Sequence, residues 1–82
     1  MVEYDTSSHA RDMMNERHII EEWVKRTLRY PDYSEEKEDG TIHYIKAIDE
    51  YQGRFLRIIV NPIDLRVVTL FFDRRLKKEV MG

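Results

Sequence analysis

The chain contains no cysteine, so it can hold neither a disulfide framework nor a thiolate metal site. That absence fits a reducing compartment, and a cytoplasmic address is the simplest expectation. No apolar run approaches the roughly 20 residues that a membrane-crossing helix needs. The opening residues, Met1 to Asp5, are acidic and lack the basic stretch and apolar run of a secretion signal. Nor is there a surplus of positive charge: 14 Lys and Arg against 16 Asp and Glu leave a net charge of −2, which gives no global signal for nucleic acid. The 3 histidines, His9, His18 and His43, lack metal-ligand spacing, so no metal site and no cofactor is expected. A length of 82 residues implies one domain, 1–82, with a modest core, because a chain this short buries only about 60% of its unfolded surface.

What is present is a pattern. The stretch from Arg54 to Arg75 holds two apolar, β-branched and aromatic runs joined by the turn Asn61-Pro62-Ile63-Asp64. It reads as the centre of an antiparallel sheet, with strands over Arg54 to Val60 and Leu65 to Asp73, preceded by a strand over Thr41 to Ile48. Val2 to Tyr4 is a further, short candidate for an edge strand. Upstream, Thr6, Ser7 and Ser8 offer capping oxygens, and Ala10, Met13, Met14 and Arg17 follow at helical spacing, predicting a helix over about Ser8 to Arg17. The apolar phase restarts at Ile19, so a second helix is expected from about Ile20 to Arg29, stopped by Pro31. Trp23 and the methionines, at helical spacing, read as core. Asp32 to Gly40 is acidic and aperiodic, the composition of a solvated loop ending in an Asp-Gly turn. The fold class is therefore α+β: two N-terminal helices packed on one face of a three- to four-stranded antiparallel meander sheet.

Strict alternation assigns Leu56, Ile58, Val60, Val68, Leu70 and Phe72 to the face under the helices. Phe55, Ile59, Val67 and Phe71 then point away from them, together with Arg57, and make a patch too apolar to leave to water. A homodimer, or a complex with a partner protein, is the expected way to cover it. Arg57 on this side is expected to serve binding and to matter little for stability.

Charge is also unevenly placed. Residues 1–52 hold 7 Lys and Arg against 13 Asp and Glu, a balance of −6, whereas residues 53–82 hold 7 against 3, a balance of +4. Any anion-binding function belongs on the second part, where Arg74, Arg75, Lys77 and Lys78 follow the last strand closely enough to contact several phosphates.

His9-Ala10, Met14, Glu16-Arg17, Ile19 and Glu21-Glu22 together resemble a family of small domains that opens roughly H-A-x-x-R-M-x-E-R-G-I-S-x-E-x-V. Such domains look related to the RelE, ParE and BrnT-like toxins of toxin-antitoxin systems. Three positions depart from that opening: His18 replaces a glycine, Ile20 replaces a capping serine, and Met13 replaces an arginine. His18 is expected to adopt the left-handed conformation of the glycine it replaces, and the second helix to lose its side-chain cap.

The resemblance implies a domain acting on RNA or at the ribosome and neutralised by an antitoxin-like protein. Cleavage by 2′-hydroxyl attack requires a base, a cation for the developing phosphorane charge and an acid for the leaving oxygen. His9, His43, Lys46 and Arg57 are candidates for that chemistry, and Arg57, Arg74, Arg75, Lys77 and Lys78 for contact with the nucleic acid. The competing class is a non-enzymatic protein-interaction module with the same fold and no active site. The acidic total and the missing arginine at position 13 favour it.

Overall fold

The computed structural model describes residues 4–76. Residues 2 and 3 of the short strand suggested at Val2 to Tyr4 lie outside them, as do Lys77 and Lys78. The first helix, α1, spans Ser8–Arg17, and its N-cap is Ser7, whose Oγ accepts the Ala10 N–H at 3.1 Å. One of the otherwise orphaned donors of the first turn is thereby satisfied. The helix ends at His18, which adopts φ 56°, ψ 41°, the left-handed conformation expected of it. The second helix, α2, spans Glu21–Arg29 and begins at Ile20 without a side-chain cap. Glu21 and Glu22 in its first turn and Arg26 and Arg29 in its last complement the helix dipole instead. Trp23, Val24 and Thr27 form its buried stripe, and the Thr27 hydroxyl donates back to the Trp23 carbonyl at 2.8 Å.

The sheet has five strands: β1 (Asp5–Thr6), β2 (Tyr33–Glu36), β3 (Ile42–Ile48), β4 (Arg54–Asn61) and β5 (Arg66–Phe72), in the order β1-β5-β4-β3-β2. The three central strands form the expected meander. Both edges differ from the expectation, the N-terminal one in position and direction, and they make the sheet mixed. β1 joins β5 in parallel, its Asp5 N–H bonded to the Leu65 carbonyl. β2 arises inside the acidic segment read as a loop, and pairs with β3 across the Asp39-Gly40 turn. Asp39 Oδ1 closes that turn by accepting the Thr41 N–H at 3.0 Å and its hydroxyl at 2.6 Å. Every residue of β2 is exposed. Its charges suit an edge strand, where they oppose pairing with another chain.

Both helices cover one face, α1 over β5 and α2 over β3 and β4. The core between the layers holds Ala10, Ile19, Trp23, Val24, Ile48, Leu56, Ile58, Val60, Val67 and Leu70. Val67 therefore lies under the helices rather than on the opposite face. The cause is a β-bulge: Ile59 pairs with Thr69 but Val60 pairs with Val67, so Val68 is the unpaired extra residue and the alternation inverts there. Val68 is 40% exposed and Val67 fully buried, the reverse of the strict period-2 expectation.

Candidate functional site

The helix-free face is built by registered rows. Glu35, His43, Ile59 and Thr69 stand side by side across β2, β3, β4 and β5, and the adjoining row is Tyr33, Ile45, Arg57 and Phe71. Directly opposed residues share a face, so two ionisable rows are brought together in the middle of an apolar sheet surface. Ile45 and Phe55 there are buried, with the Tyr33 ring 6.2 Å from that of Phe55.

Arg57 occupies the centre and is only 7% exposed. Its Nε donates to Asp73 Oδ2 at 2.9 Å, and its Nη1 donates to His43 Nδ1 at 2.8 Å. Asp73, just past β5, is equally buried; its own N–H is tied to the Phe55 carbonyl. Arg75 reaches back to it through backbone N–H, Nε and Nη2. With bonds from Arg75 first and Arg57 second, the Asp73 carboxyl is held down to about 2. Every buried side-chain nitrogen and oxygen of the described residues has a partner. A buried guanidinium and carboxylate are tolerable on those terms.

The Arg57 bond also settles the protonation of His43. A guanidinium can only donate, so Nδ1 must accept, and the neutral ring carries its proton on Nε2. Burial, and then the Arg57 charge, hold the imidazole below its ordinary value and favour that neutral form. His43 therefore presents an N–H donor rather than a base. Glu35, opposite it in the register, is the exposed carboxylate of the group and is ion-paired with Lys37. A 2.6 Å bond from Lys37 holds its carboxyl below the usual value, with smaller help from the Arg57 charge.

Of the candidates for catalysis, only His43 and Arg57 meet. His9 is exposed on α1, on the other side of the sheet. Lys46 donates to the Tyr30 carbonyl at 2.9 Å and pairs with Asp32, away from this face. Arg75 belongs to the Asp73 network, Arg74 does not, and Lys77 and Lys78 lie outside the described residues. Of the proposed apolar patch, Phe55 is buried within the single chain and Val67 faces the helices; Ile59 and Phe71 remain half-buried. The chain thus hides two of the four side chains on which the expectation of a homodimer rested. Arg57 is likewise no loose surface charge. Glu35 and Asp73 were missed, the first because its strand was taken for a loop, the second because an aspartate ending the strand Leu65 to Asp73 gives no sign of the cation it pairs with. Among the described residues no group of three His, Asp or Glu is placed to hold a metal. No helix among them is long and apolar enough to cross a membrane.

Residues 6–72 match the family described as a domain of unknown function, DUF4258, and the chain belongs to that family. No curated protein and no solved structure matches it.

Proposed function

We propose that this protein is a RelE/BrnT-like domain acting on RNA across its helix-free face, and that a partner protein restrains it by covering that face. The observation that carries the reading is the convergence of the exposed Glu35, the half-buried His43 and the buried Arg57 on one sheet face, with Arg57 bonded to the His43 ring. Glu35 is the base: it takes the proton of a 2′-hydroxyl as the 2′ oxygen bonds to phosphorus. His43 Nε2–H donates to a non-bridging oxygen of the phosphorane, and the nearby guanidinium charge favours the same anion. The bond from phosphorus to the 5′ oxygen then breaks, and that oxygen takes a proton from solvent. The products are a 2′,3′-cyclic phosphate and a 5′-hydroxyl. Ile59 and Phe71, next to His43 and Arg57 in the two rows, are the apolar ground a partner would cover.

One observation favours the second reading, a non-enzymatic interaction module. With Nδ1 occupied by Arg57, the imidazole has no free basic nitrogen, and Glu35 is left to supply all proton abstraction. Induced expression in a bacterial host separates the two. The RNA reading expects growth arrest that Glu35→Gln relieves; unimpaired growth with soluble, folded protein and intact cellular RNA contradicts it.

A further inference from the structure

A second concentration of positive charge lies where α1 ends, β4 begins and β5 gives way to the turn after it. Arg17 and His18, Arg54, and Arg74 line an open cleft of about 590 Å³, with Tyr51 and Phe72 among its walls. An adjoining cleft of about 540 Å³ shares Arg54, Phe72 and Arg74 and reaches Asp73 and Leu76. Three guanidiniums and an imidazole thus open on one continuous trough.

What marks this cluster is the want of a counter-ion among the described residues. Every salt bridge of Lys25, Arg26, Lys37, Lys46, Arg57 and Arg75 goes to a carboxylate of the described residues, yet none of these carboxylates is within 4.0 Å of Arg17, Arg54 or Arg74. Asp73, at the margin of the trough, has both oxygens engaged by Arg57 and Arg75. Arg17 donates to the Leu70 carbonyl, a neutral group. Arg54 lies over the Tyr51 ring at 5.3 Å, and Phe72 stacks on that ring at 4.5 Å. The Tyr51 ring is thus already engaged by both neighbours. The cleft is made for charge rather than for stacking.

We propose that this trough is a phosphate-binding site. Gathering three like charges is unfavourable unless an anion joins them, and a phosphate group, with up to two negative charges and three acceptor oxygens, matches guanidinium forks better than a single carboxylate does. The phosphate is carried either on an RNA strand or on a small phosphorylated molecule. Only the first source rests on the function proposed above, and the site itself does not need it.

The test uses the full chain, titrated first with inorganic phosphate while the arginine Nε–H resonances are followed by NMR. Saturable shifts of Arg54 and Arg74 are expected, with affinity falling about tenfold in Arg54→Gln and in Arg74→Gln. Arg66→Gln, an equal charge change at the far end of β5, should leave it unaltered. Absence of a saturable shift, or equal binding by Arg74→Gln and the parent protein at unchanged circular dichroism, overturns the site. Titration with a short single-stranded oligoribonucleotide then identifies the source. Weaker binding by the same variants supports the RNA strand. Phosphate binding without oligoribonucleotide binding supports the small molecule, and counts against the RNA function while leaving the site intact. Oligoribonucleotide binding that none of these variants weakens overturns the RNA source and leaves the function standing.

Discussion

Arg57→Ala should be among the most damaging single changes in the molecule. The substitution removes two hydrogen bonds, to Asp73 and His43, and leaves a 4%-exposed carboxylate with Arg75 as its remaining cation. Arg75 is 82% exposed, so water screens its compensation heavily. Breaking a buried pair by removing one partner costs about 3–5 kcal/mol, and the surviving Arg75 bonds argue for the lower end, about 3 kcal/mol. For an 82-residue domain, at about 4–8 °C per kcal/mol, this lowers Tm by roughly 12–24 °C. Thermal unfolding followed by circular dichroism reads it directly. Replacing both partners, Arg57→Met with Asp73→Leu, should restore much of the loss, because no uncompensated charge remains buried. A Tm within a few degrees of the parent for Arg57→Ala would refute the reasoning and return Arg57 to the role of a loose surface cation.

Val67→Ala should cost about 2 kcal/mol and Val68→Ala well under 1 kcal/mol, a contrast that urea unfolding reads and that an uninterrupted β5 would reverse. His18→Gly should raise Tm by relieving a left-handed non-glycine residue worth about 1 kcal/mol, and Ile20→Ser should add about as much by capping α2; a fall in Tm in either would count against the cap geometry. The depressed His43 pKa means that the unfolded chain takes up the proton first as pH falls. Its contribution to stability is therefore full above about pH 6.5 and declines below it towards the lower native value, and His43→Gln should flatten the slope of unfolding free energy between about pH 7 and pH 5. An unchanged slope in that variant would contradict the depressed value. Asp73 acts in a separate window: its contribution is full above about pH 4 and is lost as pH falls towards 2.

Both helices could be read from local chemistry, since Ser7, His18 and Pro31 mark their ends through capping, a left-handed residue and a forbidden backbone region. The central strands were equally legible, because β-branched and aromatic runs leave little alternative. The edge strand β2 was not: Tyr33-Ser34-Glu35-Glu36 has no buried side chain to impose a period, and its backbone pairs with β3. Bulges evade alternation by their nature, and the one at Val68 moved Val67 from one face to the other. Half of the site followed from the same limits. His43 and Arg57 could be placed on one face by counting along their strands. Glu35 required β2, and the burial of Arg57 required Asp73, a contact between the centre of one strand and the end of the next.

The central claim, that the helix-free face acts on RNA with Glu35 as base, is tested most directly by incubating the purified protein with a single-stranded RNA and analysing the ends of the fragments. The account predicts 2′,3′-cyclic phosphate and 5′-hydroxyl ends, a rate that falls at least a hundredfold in Glu35→Gln, about the lower bound for loss of a general base, and a smaller loss in His43→Gln. Intact RNA under conditions where the protein is folded, or cleavage that Glu35→Gln leaves undiminished, would contradict it.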